Sequence, residues 1–176
     1  MPNENVKIYC DVACDCRNTL FELVSASDIN GLHRYEEDSI RHWIDQNGKH
    51  YFFFGRSVSP DGPPPVLDQL NPTVAAYLLE AGDNKKTVII TTNGDVELYK
   101  CALQSLGFDY DQLGIEVMSK STLSHSTTTG NGIIDVVIDD EDPLIYLSRS
   151  QFIQWKNPRD LAAAPKAKPE VPPVPL

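Results

Sequence analysis

A run of acidic residues, Asp139-Asp140-Glu141-Asp142, stands at the end of the aliphatic stretch Ile133-Ile134-Asp135-Val136-Val137-Ile138. The β-branched composition of that stretch suits a strand buried on both faces of a parallel sheet. A central strand of an open α/β sheet delivers the residues at its carboxyl end to the ligand crevice. Carboxylates crowded there repel one another unless a cation or a proton intervenes, and an oxygen-rich cluster suits Mg2+. The alternative at this point is a solvated acidic turn that merely follows a core strand.

The elements needed to position such a cluster are legible upstream. Residues 6–10 read as a first strand, extendable through Val12, Ala13 and Cys14, and 19–24 read as the start of a helix or a flap. The spacing predicts a helix over 36–46, with Ile40, Trp43 and Ile44 on one face and Glu37, Arg41 and Asp45 on another. Asn47-Gly48 would end it. Residues 51–54 are aromatic and read as a short strand or a buried loop. Residues 59–65 must be a loop, because three consecutive prolines forbid helix and central strand. Beyond it, Asn71-Pro72 opens a helix with Asn71 as N-cap. A second buried strand follows at 87–91, a helix at 95–106 and a third strand at 113–118. The Ser/Thr/Gly-rich stretch 119–132 reads as a mobile connection. This order predicts an α/β protein with a parallel sheet covered by helices.

Composition bounds the function. A chain of 176 residues suits one domain, placed at 1–157 with an irregular insert at about 25–72. The alanine- and proline-rich tail, 158–176, reads as disordered or polyproline-like, and Lys166, Pro169 and Pro172 fall at the spacing of a short proline-motif ligand. A net charge of −10 argues against nonspecific nucleic-acid binding but leaves room for phosphorylated ligands held through a metal. Neither a membrane span nor a signal peptide is evident. Cys10, Cys14 and Cys16 crowd too closely for a disulfide framework, and with Cys101 they read as reduced thiols in a cytoplasmic protein.

Three segments then fall in a telling order: Asp15-Cys16-Arg17-Asn18-Thr19-Leu20-Phe21 preceded by Asp11, Val88-Ile89-Ile90-Thr91-Thr92-Asn93-Gly94-Asp95, and Val136-Val137-Ile138-Asp139-Asp140. The helix after the second segment ends Leu106-Gly107-Phe108. Together they resemble the haloacid dehalogenase (HAD) superfamily, mostly phosphatases on a Rossmann-like sheet. The resemblance implies a three-layer α/β sandwich, here without a large cap. It also implies phosphate ester hydrolysis through a covalent aspartyl-phosphate, with Mg2+ as cofactor. By the same resemblance, Thr92 would donate to the phosphoryl oxygens, Asn93 would shape the adjoining loop and Lys120 would reach the same oxygens. Asp139 and Asp140 would hold the metal.

The first motif departs from the family pattern of Asp-x-Asp followed by a small residue and Thr. With Asp15 as nucleophile, Asn18, Thr19, Leu20 and Phe21 match, but Arg17 stands where the general acid belongs and Asp11 falls inside a long strand. With Asp11 as nucleophile the strand ends cleanly, with Ala13 at the acid position and its carbonyl a metal ligand; strand physics slightly favours this register. Neither register supplies the second aspartate. Arg17 could bind phosphate but not protonate a leaving group. The expected function is therefore a HAD-like phosphatase acting on a phosphorylated substrate. The alternative is a catalytically silent relative that engages a protein partner with a basic surface.

Other residues have plainer readings. Cys10, Cys14 and Cys16 with His125 lack the distant second ligand pair of a zinc site. His33, His42 and His50 read as surface residues, and residues 51–54 read as an anchor for the insert rather than a pocket.

Overall fold

In a computed structural model of the chain, residues 7–35, 41–54, 63–108, 113–130 and 132–161 are described. In chain order the strands are β1 (Lys7–Asp15), β2 (Phe21–Ser25), β3 (His33–Arg34), β4 (His42–Ile44), β5 (His50–Phe52) and β6 (Val66–Leu70). There follow α1 (Pro72–Asp83), β7 (Val88–Thr92), α2 (Val96–Ser105), β8 (Ile115–Ser119), α3 (Lys120–Gly130), β9 (Gly132–Ile138) and β10 (Phe152–Lys156). They build two five-stranded sheets, one parallel in the order β10-β9-β1-β7-β8 and one antiparallel in the order β2-β6-β5-β4-β3.

The parallel sheet is apolar on both faces, as its aliphatic strands require. On one face Val12, Cys14, Val88, Ile90, Val136 and Ile138 pack with Val74 and Leu78 of α1 and Ala102 and Leu103 of α2. On the other, Ala13, Ile89, Ile134 and Val137 pack with Leu123 of α3 and Leu147. Helix entry is set locally. The Asn71 side chain accepts from Thr73 N and Val74 N ahead of Pro72, and Asp95 accepts from Glu97 N and Leu98 N.

Four expectations are corrected. The stretch after β8 is the helix α3 rather than a mobile connection. The hydroxyls of Thr127, Thr128 and Thr129 bond back to carbonyls one turn earlier, so these residues are satisfied within the helix. Gln151 then ties α3 down, its Nε2 donating to Ser124 O, Thr127 Oγ1 and Thr128 Oγ1. The insert is an ordered antiparallel sheet, and within it Trp43 and Ile44 lie on a strand, not a helix. Trp43 pairs across to Tyr51 and packs with Leu67, so cross-strand aromatic contact overrides the helical spacing. The remainder of the expected helix, 36–40, lies outside the described residues. His42 is fully buried, stacked on Phe52 with its Nε2 2.7 Å from His50 Nδ1. At the tail, residues 158–161 are a helical turn, and Leu161 is buried against the main core. The proline motif beyond lies outside the described residues. No helix among the described residues is long and apolar enough to cross a membrane.

One buried carboxyl stands out in the antiparallel sheet. Asp68 of β6 faces Leu23 and Phe52 in register, is 3% exposed, and has one carboxylate oxygen without a hydrogen-bond partner among the described residues. Burial pushes its pKa up to about 6 against the pull of the Arg17 charge. Its folded pKa thus exceeds the unfolded value of about 3.9. The stability contributed by the neutral form is complete below pH 4 and is lost as pH rises through 6, on the order of 3 kcal/mol by pH 8. Asp68→Asn should therefore raise the melting temperature by several degrees at pH 8 and leave it unchanged at pH 4. Equal shifts at both pH values in thermal melts would contradict this.

Candidate functional site

Numbered within the parallel sheet alone, the strand order is 3-2-1-4-5, so the chain winds outward one way from β1 and the other way from β9. The crevice of such a sheet opens at the carboxyl ends of the two strands where winding reverses. Those ends are Asp15, the last residue of β1, and Asp139-Asp140, directly after β9. Lys120 enters as the first residue of α3, directly after β8.

The side chains converge. Lys120 Nζ lies 3.2 Å from Asp15 Oδ1 and 3.2 Å from Asp139 Oδ2, and 4.8 Å from the centre of the Tyr146 ring. Asp139 Oδ1 accepts from Glu141 N at 3.0 Å, and its backbone carbonyl accepts from Trp155 Nε1 at 2.9 Å. Thr19 Oγ1 sits 3.4 Å from Asp15 Oδ2 and 3.3 Å from Asp140 Oδ1, donating to one at a time, and accepts from Asp140 N at 3.2 Å. The turn after β1 makes this possible: Leu20 N donates to Asp15 O and Phe21 N to Cys16 O. Asn18 takes a left-handed conformation within it, φ 62°, which asparagine tolerates. The turn folds Thr19 back over Asp15 and leaves Arg17 and Asn18 at the rim.

Charge explains the strain of this centre. Burial first, then the Asp139 charge, raise the Asp15 pKa above the usual carboxylate range despite Lys120. Asp139 is raised as well, by burial, against the opposing pull of Glu141 N and Lys120. Burial alone would lower Lys120, but the charges of Asp15 and Asp139 together more than reverse it, and it is held raised. One ammonium therefore serves two buried carboxylates, with a third close by. Asp15, Asp139 and Asp140 each offer an oxygen, all within 4.8 Å of one another. This hard, anionic oxygen set fits Mg2+.

Around the centre lies a cleft of about 350 Å³ lined by Asp15, Lys120, Asp140 and Glu141, with Arg17 and Asn18, the loop 92–95 that follows β7, and the rings of Phe54 and Tyr99. Thr92 Oγ1 accepts from Gly94 N at 2.8 Å, which shapes that loop, and Asn93 is exposed on it. The structure thus gathers Asp15, Arg17, Thr92, Asn93, Lys120, Asp139 and Asp140.

Asp11 and Ala13 are not part of it. β1 continues past them to Asp15. Asp11 N and Val12 N both donate to Thr87 O, and the register of β1 against β9 shifts just before them, between Ile8 and Cys10. The Asp11 carboxylate accepts from Thr87 N at 2.8 Å and Thr87 Oγ1 at 2.9 Å. Ala13 is buried mid-sheet, in register with Ile89 and Val137. Strand physics favoured a first strand ending before Asp11, whereas β1 runs on to Asp15 and the Asp11 carboxylate inside it is met by Thr87. The thiols do not gather either: Cys14 and Cys16 pack in the cluster on one face of the sheet, Cys10 in that on the other. Burial raises all three thiol pKa values, Cys10 to about 12. Among the described residues the cysteines join no metal-ligand group.

The sequence reading passed over Thr19 as a bridge between Asp15 and Asp140, and over Tyr99 and Tyr146, and it took residues 51–54 as an anchor rather than a pocket, whereas Phe54 lines the cleft. Thr19 had a signal, its place four residues after Asp15. The place of the aromatic residues at the site had none, since pairing in the inserted sheet and packing after β9 bring them in. No family model matches the chain, and no curated protein matches it.

If the carboxylates of Asp15, Asp139 and Asp140 hold Mg2+, millimolar Mg2+ should raise the melting temperature, because a ligand of the folded state alone stabilises it. Asp139→Asn combined with Asp140→Asn should abolish the rise. A parent protein whose melt is indifferent to Mg2+ would contradict the metal assignment.

Proposed function

We propose that this chain is a phosphohydrolase of the HAD type, a three-layer α/β sandwich carrying a small inserted sheet, that splits phosphate monoesters through an aspartyl-phosphate on Asp15. The observation that carries the reading is the convergence of Asp15, Asp139, Asp140 and Lys120 from β1, the β9 end and the α3 start at the switch point of a parallel sheet. These positions coincide with those the HAD resemblance assigns in the Asp15 register.

Each residue has a chemical task in this reading. An Asp15 oxygen attacks phosphorus in line with the departing oxygen. Lys120 neutralises the negative charge that collects where Asp15, Asp139 and the phosphoryl group meet, and holds Asp15 in place. Thr92 and the Asn93–Gly94 backbone line the phosphoryl side of the cleft. Thr19 keeps Asp15 and Asp140 at a fixed spacing. Asp15, Asp139 and Asp140 would hold Mg2+, which would supply charge stabilisation to the phosphoryl oxygens and favour ionised Asp15. Arg17 offers a cation at the rim but no proton at neutral pH.

The test is Mg2+-dependent release of phosphate from p-nitrophenyl phosphate, an ester whose leaving group needs no acid. Asp15→Asn should reduce turnover by at least about 10³-fold, because the nucleophile is lost, while Asp11→Asn should stay within a few-fold of the parent. A parent that releases no phosphate would overturn the enzyme reading and favour a silent, partner-binding protein. Loss of activity in Asp11→Asn with retention in Asp15→Asn would overturn the site.

A further inference from the structure

We infer that the substrates are aryl phosphate monoesters, the chemistry of a phosphorylated tyrosine side chain or of a free phenolic phosphate. This rests on the phosphohydrolase reading above and deepens it through two independent features of the same cleft.

The first feature is the wall opposite the carboxylates. Tyr99, on α2, stacks on Phe54, which follows β5, with ring centroids 4.2 Å apart and planes at 26°. Phe52 lies nearly parallel to Phe54 at 5.9 Å, and Phe21 meets Phe54 edge-on at 5.2 Å. Phe54 and Tyr99 both line the cleft that holds Asp15 and Lys120. Phe54 is half-buried and Tyr99 nearly fully buried, so the two stacked rings give the cleft an apolar aromatic wall. Aromatic rings attract one another edge-to-face or offset-stacked, so a flat aryl group fits this wall. Gly94 joins wall and phosphoryl loop: a Cβ there would stand 3.4 Å from both Tyr99 Cε2 and Thr92 Oγ1. Its bare backbone leaves passage between the phosphoryl side and the rings.

The second feature is Arg17. It stands two residues after Asp15 and lines the cleft, and on the HAD-type reading this is the leaving-group position, so the leaving oxygen would depart beside a permanent cation rather than a proton donor. An alkoxide cannot leave readily on those terms. A phenolate can, since a phenol ionises with a pKa of about 10, well below the value of about 15.7 for water. In the first step Asp15 forms a bond to phosphorus as the bond from phosphorus to the aryl oxygen breaks. The electron pair leaves with the phenolate, which pairs with Arg17. Water then attacks the phosphorus of the aspartyl-phosphate, returning Asp15 as carboxylate and releasing dihydrogen phosphate, which retains both protons of that water. The phenolate takes a proton from solvent. Rings and cation together select the one class of monoester that both tolerate.

The experiment measures kcat/KM of the Mg2+-loaded parent on phenyl phosphate, free phosphotyrosine, a phosphotyrosyl peptide and free phosphoserine, with a series of substituted phenyl phosphates. The aryl esters should exceed phosphoserine by at least about 10²-fold, the lower bound of what a missing general acid costs. Rate should also rise steeply as the leaving phenol becomes more acidic. Phe54→Leu, which keeps apolar bulk, should lower the ratio of aryl to alkyl turnover by roughly 2- to 10-fold. Arg17→Asp should raise phosphoserine turnover and flatten the dependence on leaving-group acidity. Preference for the peptide over free phosphotyrosine would assign the source as protein phosphotyrosine, and the reverse a small phenolic phosphate. Comparable parent rates on phosphoserine and phenyl phosphate, or a flat leaving-group series, would overturn the inference while leaving the phosphohydrolase reading standing. Inertness toward every ester, p-nitrophenyl phosphate included, would overturn both.

Discussion

The Lys120 ammonium is shared between two carboxylates that arrive on different strands, Asp15 from β1 and Asp139 from the end of β9, each at 3.2 Å. Both acids are buried, Asp139 completely. Two carboxylates brought this close in a dry environment repel strongly, and one partner must answer both. Lys120 can do so because it starts α3 directly after β8, which aims the ammonium across the ends of β7 and β1 toward β9. The parallel order β10-β9-β1-β7-β8 is what sets β1 and β9 side by side. Remove any one of these placements and the remaining charges would be left buried without compensation.

The fixed geometry extends outward from that pair. Glu141 N and Trp155 Nε1 hold both ends of Asp139, and Thr19 spans from Asp15 to Asp140. The cleft is thus rigid on its carboxylate side. On its other side the inserted antiparallel sheet contributes Phe54, packed through Phe52 and Phe21 into the main core. The insert is therefore joined to the cleft through aromatic packing.

Much of this was legible in the residues. The strands at 87–91 and 133–138 and the helices opened by Asn71 and Asp95 followed from aliphatic runs and capping residues, both local signals. The acidic tip of β9 was recognisable for the same reason. What escaped was set by contacts distant in sequence. A carboxylate inside a long strand looked forbidden, yet that of Asp11 is met by Thr87 N and Thr87 Oγ1 from directly before the neighbouring strand β7. Trp43 and Ile44 carried helical spacing, yet strand pairing with Tyr51 and His50 decided their structure. α3 has few apolar residues and many hydroxyls, which bond back within the helix, and it is tied down by Leu123 in the core and by Gln151 from beyond β9. The aromatic run 51–54 was visible, but its place beside Tyr99 at the cleft depends on how the inserted sheet packs.

The central claim is that Asp15, backed by Lys120 and the carboxylates after β9, is the residue that takes the phosphoryl group. A crystal structure of the protein with Mg2+ and beryllofluoride, which mimics an aspartyl-phosphate, tests it most directly. The account predicts a beryllium–oxygen bond to Asp15, with fluorines facing Lys120 and the loop at Thr92 and Asn93, and Mg2+ against Asp139 and Asp140. An adduct on Asp11, or crystals in which Asp15 remains unmodified while Mg2+ is bound elsewhere, would contradict it.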